Sequence, residues 1–165
     1  MTILKNAANF RDMGGIKLPY GEVAKGLIYR SNHLCYLDEG DQVKINGLDV
    51  GHFIDFRSTE ELDAFPPNLA NYHDASVHSL AIRPGSPAAV AEAIANGEMS
   101  AAHMVEQMTL IYGRLINEQI HIYRQFFQLL LEVQRPVVFN CAVGKDRTGV
   151  AAMLLLLSLG ADWAT

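Results

Sequence analysis

The sequence predicts an α/β fold in which a central, mostly parallel, twisted sheet is flanked by helices. Segments with strand-like patterns alternate with helical ones along the chain, which is typical of a parallel sheet. One of them, residues 136–139, is apolar without alternation, as in a strand covered on both faces. The length of 165 residues and a hydrophobic content of 50% suit one domain with a real core and exclude a disordered or fibrous chain.

Three further strands are predicted upstream, at residues 26–30, 52–56 and 76–82. The first two are short and lie between turn-forming or capping residues. The third alternates polar and apolar residues, which indicates a strand with one face in water. Together with residues 136–139, these segments supply the strands of the expected sheet.

Helices are predicted between the strands. One begins near Asp38, which can cap it, and another opens at Thr59 and must end at Pro66-Pro67. The pattern from residue 87 to residue 132 is helical, and within it four apolar side chains recur at the spacing of one helix face. We expect this stripe to face the core: Met104, Met108, Ile111 and Leu115.

Charge and cysteine content restrict the class of protein. The net charge of −5 makes nucleic acid or an anionic membrane surface an unsuitable partner. Two cysteines do not form a disulfide framework, and the amino terminus lacks the apolar run of a signal peptide. The longest apolar stretch, residues 149–161, is shorter than the ~20 residues that a membrane span requires. We therefore expect a cytoplasmic protein without a membrane span.

The loop at residues 141–149, Cys-Ala-Val-Gly-Lys-Asp-Arg-Thr-Gly, joins the buried strand to an apolar helix over residues 150–159. This geometry aims backbone N–H groups and a helix N-terminus at one point, which favours a bound phosphate. Arg147 can hold two phosphate oxygens with its planar fork, and Gly144 lets the backbone turn with its amides inward. The candidate phosphate-binding residues are Ala142, Val143, Gly144, Lys145, Asp146 and Arg147.

The same loop contains a candidate nucleophile, Cys141. A helix N-terminus and a neighbouring arginine favour the thiolate form of a cysteine. Thr148 is expected to donate its hydroxyl to the sulfur and to ease its departure from a phosphocysteine. A Cys-x5-Arg spacing matches by chance roughly one time in ten, but requiring Gly144 and Thr148 as well lowers this to on the order of one in a thousand. A buried inert cysteine is the alternative, and it leaves Arg147 unexplained.

The loop is similar to the signature loop of the cysteine-dependent phosphatases. The chain as a whole resembles the bacterial dual-specificity-like tyrosine and phosphoinositide phosphatases related to mycobacterial protein tyrosine phosphatase B. The resemblance extends from residue 6 to about residue 160. It includes Asn-Phe-Arg-Asp-Met-Gly-Gly at residues 9–15, Tyr-Arg-Ser and His-Leu within residues 29–34, and Asp-Phe-Arg-Ser and Glu within residues 55–61.

This resemblance implies a two-step hydrolysis of a phosphate monoester without a metal or another cofactor. Cys141 attacks phosphorus, Arg147 and the loop amides stabilise the equatorial oxygens, and water then releases phosphate. The implied partner is a phosphorylated protein or a small phosphomonoester, with phosphotyrosine, phosphoserine or phosphothreonine, and phosphoinositides as candidates. Lys145 adds charge suited to phosphoinositides if it does not simply face solvent. The six histidines show no metal-ligand spacing.

Three aspartates are candidates for the general acid that protonates the leaving oxygen. Asp146 is preferred because it lies inside the loop, next to Arg147. Asp55 is second, because it ends a predicted strand and sites in parallel sheets gather at those ends. Asp74 is third, by analogy with phosphatases whose acid lies on a separate loop.

Some residues depart from the family pattern or have ordinary explanations. Asn140 stands where the family usually has histidine, so we expect a weaker nucleophile. Cys35 is expected to be a small buried hydrophobe, and the ordinary alternative for Arg57 is a weak surface ion pair with Glu60 or Glu61. A catalytically inactive phosphatase fold that binds phosphorylated partners and a sulfur-transfer enzyme are the alternative functions. A nucleotide-binding loop is excluded because the required glycine and hydroxyl positions hold other residues.

The length of the chain after the loop suggests that the domain is incomplete at its C-terminus. Only sixteen residues follow Gly149, and they form the apolar helix that should lie between the sheet and further helices. We therefore expect a single phosphatase domain over residues 1–165 that is truncated at its C-terminus and lacks C-terminal helices. The helix face of Met153, Leu156 and Leu157 would then be exposed and would favour self-association.

Overall fold

A five-stranded sheet lies at the centre of the computed structural model, which describes residues 4–69, 72, 74–83, 93, 95–97 and 100–162. A separate antiparallel hairpin lies between the first and second strands of this sheet in the sequence. In chain order, the strands are β1 (Arg11–Asp12), β2 (Lys17–Leu18), β3 (Gly21–Glu22), β4 (Ile28–Ser31), β5 (His52–Asp55), β6 (Ser76–Ser79) and β7 (Val137–Asn140). The sheet has the order β1-β4-β7-β5-β6, and β2 pairs with β3 in the hairpin.

Strand β7 occupies the middle of the sheet. It runs parallel to β4 and to β5, with Val137 opposite Ile28 on one side and His52 on the other. Only β1 is antiparallel to its neighbour. All four residues of β7 are buried, as their continuous apolar pattern predicts. The predicted α/β class with a mostly parallel sheet is confirmed.

Five helices of the described chain are α1 (Glu39–Asn46), α2 (Thr59–Ala64), α3 (Ala101–Asn117), α4 (Ile120–Glu132) and α5 (Asp146–Ser158). Asp38 caps α1 by accepting the N–H of Asp41 at 2.8 Å. Ser58 and Glu61 form a reciprocal capping box at the start of α2. The predicted helix starts at Asp38 and Thr59 are thus confirmed.

The sheet has a separate core cluster on each side. Phe126 packs edge to face on Phe56 and on Phe139 in one cluster, with ring centroids 5.4 and 5.3 Å apart. Phe10 stacks on Tyr29 in the other cluster, with the ring centroids 5.5 Å apart. These two layers hold β7 rigidly and therefore fix the starting point of the segment that follows it.

The predicted strand over residues 76–82 is wrong in its second half, because pairing ends at Ser79. Beyond that point the backbone crosses the end of β5: Leu80 N–H donates to Asp55 O, and Ile82 N–H donates to Phe56 O. β6 is an edge strand and most of its side chains are exposed, so alternation does not mark one buried face here. Of the residues predicted to be helical, 87–92, 94, 98 and 99 lie outside the described residues.

The apolar stripe on α3 is only partly buried. Leu115 is fully buried, whereas Met104 is 38% exposed and Met108 and Ile111 are intermediate. The expectation that the whole stripe packs into the core is wrong, because the core cluster reaches this helix only through its second half. The first half instead lines an open groove of about 680 Å³.

The apolar face of α5 is half-buried in the structure. Met153 and Leu156 pack partly against the core cluster, and Leu157 is also intermediate. Self-association through this face stays a prediction. No helix within the described residues is both long enough and apolar enough to cross a membrane.

Candidate active site

The segment between β7 and α5 encloses the sulfur of Cys141. The thiol is 3% exposed, and its Sγ accepts the backbone N–H of Gly144 at 3.3 Å. Helix α5 begins at Asp146, so its first turn lies beside the sulfur. The predicted strand, loop and helix are therefore present, with at least one backbone amide aimed at the candidate nucleophile.

Three carbonyls of this loop are held from outside by the amino-terminal half of the chain. Ala142 O accepts the N–H of His33 at 3.2 Å. Val143 O accepts Nδ2 of Asn9 at 2.9 Å, and Gly144 O accepts Nη2 of Arg30 at 3.0 Å. Because C=O and the following N–H point in opposite directions in a trans peptide, these contacts favour inward amides at the next three residues, and the amide of Gly144 is directed at the sulfur. The motifs at residues 9–15 and 29–34 thus shape the loop.

Gly144 is required for a reason that the sequence does not reveal. Its φ is +72°, and a Cβ there would lie 2.4 Å from Ser31 O and 2.6 Å from Asn32 N. The obstruction is therefore the end of β4 on the outside of the loop. Close contact with β4 leaves no room for a side chain at this position.

Arg147 is held from one side by Glu61. Its Nη1 and Nη2 donate to the two carboxylate oxygens of Glu61, each at 2.7 Å, and Nη1 also contacts the carbonyls of Phe56 and Ile82. Burial opposes the charge of Arg147, but the hydrogen bond to Glu61 and the charge of Cys141 outweigh it and raise the Arg147 pKa. No described residue accepts from Nε, so the Nε–Nη2 edge of the guanidinium is available to two oxygens of a tetrahedral anion.

A second buried arginine lies beside the first. Arg57 is 1% exposed, and its Nε and Nη2 donate to the carboxylate of Asp55 at 2.8–3.0 Å. Its Nη1 donates to Phe65 O at 2.7 Å. The expected surface ion pair of Arg57 with Glu60 or Glu61 is wrong: Arg57 pairs with Asp55 in the interior, and Glu61 pairs with Arg147.

The three candidate acids lie in different surroundings. Asp146 opens α5 next to Arg147, is half-buried, and its Oδ1 accepts the hydroxyl of Tyr112 at 2.5 Å. Asp55 is 3% exposed and is fully engaged with Arg57. Asp74 precedes β6, at the amino ends of the parallel strands, whereas Cys141 follows the carboxyl end of β7. The placement of Asp74 near the nucleophile is therefore wrong.

Buried polar groups surround the loop without a bond to the sulfur. Thr148 is fully buried, and neither its Oγ1 nor Nδ2 of Asn140 has a hydrogen-bond partner among the described residues. The expected bond from Thr148 to Cys141 is not formed in this structure. The hydroxyl of Tyr123 is also buried without a hydrogen-bond partner among the described residues, and burial together with the charge of Cys141 raises its pKa. The sequence reasoning missed Tyr123, whose only signal was an aromatic residue on an amphipathic helix.

Lys145 and Cys35 lie at the edges of the site. Lys145 is exposed at the start of α5. Cys35 is only half-buried: its thiol donates to Phe65 O at 2.9 Å and accepts Nη1 of Arg57 at 3.4 Å, and burial raises its pKa. The interpretation of Cys35 as a buried hydrophobe is wrong. No group of three His, Cys, Asp or Glu side chains within the described residues is placed to hold a metal ion.

A cavity of about 460 Å³ adjoins the loop at Ala142 and Val143. Most of its lining surface is apolar, and the imidazole of His33 stacks on the ring of Phe65 at a centroid distance of 6.4 Å. Tyr36 meets His33 edge to face on another wall. Such a surface is suited to a flat apolar group next to the anion position.

The sequence of this chain is similar to those of known phosphatases. A family model described as the tyrosine phosphatase family matches residues 2–165. The chain is 29% identical over 157 residues to the "Putative tyrosine-protein phosphatase" of Cupriavidus necator. That alignment covers 93% of this chain and 55% of the relative. It is 26% identical over 179 aligned positions to the triple specificity protein phosphatase PtpB of Mycobacterium tuberculosis. That alignment covers 96% of this chain and 64% of the relative. The chain thus spans less than two thirds of the length of both relatives.

A solved structure is also similar. The crystal structure of TpbA from P. aeruginosa aligns with a TM-score of 0.45 at 17% identity, over 86% of this chain and 65% of that one.

Replacing Gly144 with alanine tests the contact with β4. The added Cβ should lower the free energy of unfolding by about 1–3 kcal/mol more than Gly97→Ala does, because only Gly144 faces a backbone collision. Gly97 is a matched control, since its φ is +69° and nothing lies within 4 Å of the Cβ position. Urea denaturation measures both variants. Equal losses would show that the approach of Ser31 does not restrict this position.

Replacing Asp55 with asparagine tests whether Asp55 is a structural partner of Arg57. Removing one member of a buried ion pair should lower the free energy of unfolding by about 3–5 kcal/mol. Asp49→Asn is the control, because its pair with Arg135 has side chains 76% and 39% exposed and should contribute at most about 1 kcal/mol. A stable Asp55→Asn protein that had lost turnover would instead support Asp55 as the acid.

The pair of Glu61 and Arg147 predicts how stability depends on pH. The hydrogen bond from Arg147 lowers the Glu61 pKa below its ordinary value of 4.5. The stabilisation is therefore fully present above the ordinary value and is lost as pH falls through the lower, folded value. The Tm difference between the wild type and Glu61→Gln should be constant near neutral pH and shrink below about pH 4.5. Glu106→Gln, at an exposed site on α3, is the control and should match the wild type throughout; a Glu61 difference that persists to acid would contradict the assignment.

Proposed function

The chain belongs to the tyrosine phosphatase family, and we propose that it hydrolyses phosphate monoesters through a phosphocysteine intermediate on Cys141. The observation that carries the proposal is the arrangement around the sulfur. The N–H of Gly144 is directed at the sulfur, and the pair with Glu61 leaves the Nε–Nη2 edge of Arg147 unused, so these donors would bind the equatorial phosphate oxygens. Such preorganised donors stabilise the charge of the transition state without having to reorganise.

The proposed reaction has two steps. The Cys141 thiolate attacks phosphorus, the P–O bond to the leaving group breaks, and the leaving oxygen takes its electron pair and a proton from Asp146. Water then attacks the phosphocysteine, the S–P bond breaks, and the Asp146 carboxylate accepts the proton of the water. Inorganic phosphate leaves, and the thiolate is restored.

Aromatic phosphomonoesters, phosphotyrosine above all, are the proposed substrates. The cavity beside the loop is lined by His33, Tyr36 and Phe65, which suit a flat ring. Glu60 and Glu61 also line it and would repel further phosphate groups. The mycobacterial relative is described as a phosphatase of triple specificity, so phosphoserine and phosphoinositide substrates belong in the same assay, with exposed Lys145 as the cation available to them.

A second candidate function is a module that binds phosphorylated partners without hydrolysing them. It is favoured by Asn140 and Thr148, whose buried polar atoms make no bond to the sulfur in this structure. Under this alternative the loop would still bind phosphate, because the amides and Arg147 do not depend on those two residues.

Release of phosphate from p-nitrophenyl phosphate distinguishes the two functions. Cys141→Ser should reduce turnover at least about a thousandfold, because the nucleophile is lost. Arg147→Lys should reduce it about 100- to 1,000-fold, because a lysine cannot supply two parallel N–H donors. Cys35→Ser is the matched control for loss of a thiol and should keep nearly full turnover. Phosphotyrosine peptide binding by the wild type without any Cys141-dependent release of phosphate would favour the binding module.

A further inference from the structure

Tyr112 joins α3 to the first residue of α5. Its hydroxyl is 2.5 Å from Oδ1 of Asp146, and both side chains are half-buried. Within the described residues, Tyr112 is the side chain that bonds the Asp146 carboxylate. Neither Lys145 nor Arg147 does so: Lys145 is exposed, and the guanidinium of Arg147 is directed at Glu61.

The position of Tyr112 follows from the way α3 is anchored. Leu115 lies three residues later, on the same face of the helix, and is fully buried in the core cluster. Tyr112 itself packs partly against that cluster, which also contains residues of α5. The earlier part of the helix lines the open groove, so Tyr112 lies where the anchored half begins. Its hydroxyl is thereby directed at Asp146 by the packing of two helices.

The phenol acts as the donor in this bond. The hydrogen bond to Asp146 and burial raise the Tyr112 pKa to about 12, so the hydroxyl keeps its proton at neutral pH. Oδ1 of Asp146 is then occupied as an acceptor. When this carboxyl group carries a proton, Oδ2 is therefore the oxygen that holds it.

We propose that Tyr112 is a positioning residue for Asp146, holding Oδ1 so that Oδ2 gives its proton to the leaving oxygen. This inference rests on the proposed function and on Asp146 as its acid. As the P–O bond breaks, its electron pair passes to the leaving oxygen, which takes the proton from Oδ2. When water attacks the phosphocysteine, its proton returns to Oδ2 while the S–P electron pair returns to Cys141. Tyr112 keeps its own proton in both steps.

The test compares Tyr112→Phe with the wild type on a series of aryl phosphates whose leaving groups differ in basicity. Without the bond, Asp146 should adopt several orientations, and kcat/KM should fall about tenfold for basic leaving groups such as phenol. It should change less than about twofold for p-nitrophenol, which needs little proton donation. Tyr20→Phe, at a site 97% exposed, is the control and should leave the series unchanged.

Combining Tyr112→Phe with Asp146→Asn separates positioning from a merely structural role. Tyr112→Phe should have no further effect in the Asp146→Asn background, since the proton it positions is absent. Equal losses across the leaving-group series, or losses that multiply in the double variant, would overturn the inference while Cys141-dependent turnover still supported the proposed function. Absence of turnover that depends on Cys141 in the wild type would overturn both. Thermal unfolding of each variant identifies a loss caused by misfolding, which would also count against a positioning role.

Discussion

Two guanidinium groups lie almost out of water, and the arrangement around Cys141 depends on how their charges are neutralised. Arg57 is 1% exposed and Arg147 is 9% exposed. Removing such an ion from water costs several kcal/mol, and a carboxylate must hold each one in good geometry to offset that cost. Asp55 does so for Arg57, and Glu61 does so for Arg147. The position of the arginine in α5 therefore depends on the end of β5, through Phe56 O, and on the start of α2, through Glu61.

The loop depends on a second set of long-range contacts. Its carbonyls are held by His33, Asn9 and Arg30, all of which lie more than one hundred residues earlier in the chain. These donors restrict how the peptide planes turn, and the plane held through Val143 O directs the amide of Gly144 at the sulfur. Arg30 is itself held at some cost, since burial and the neighbouring Arg11 lower its pKa to about 10. The conformation of the loop thus depends on the amino-terminal motifs as much as on the loop sequence.

The parts of this structure that the sequence predicts are local ones. The strand, loop and helix around Cys141 lie within about twenty consecutive residues, and caps such as Asp38 act on amides only three residues away. The partners of the arginines are not local, since 86 residues separate Arg147 from Glu61, and charge alone does not say which carboxylate reaches which guanidinium. Periodicity likewise identified an apolar face on α3, but it does not say whether another element covers that face, as Met104 shows.

The charge partners of the carboxylates also distinguish the candidate acids. A general acid and base must exchange a proton in each catalytic cycle, and a carboxylate paired end to end with a guanidinium is held in its charged form. Glu61 is held in this way, since Arg147 lowers its pKa, and the carboxylate of Asp55 is bonded by Nε and Nη2 of Arg57. Asp146 differs because its bonded neighbour is the neutral phenol of Tyr112, whose pKa is raised to about 12. Among the carboxylates that adjoin the loop in the described chain, Asp146 is therefore the candidate acid that is not paired with a guanidinium.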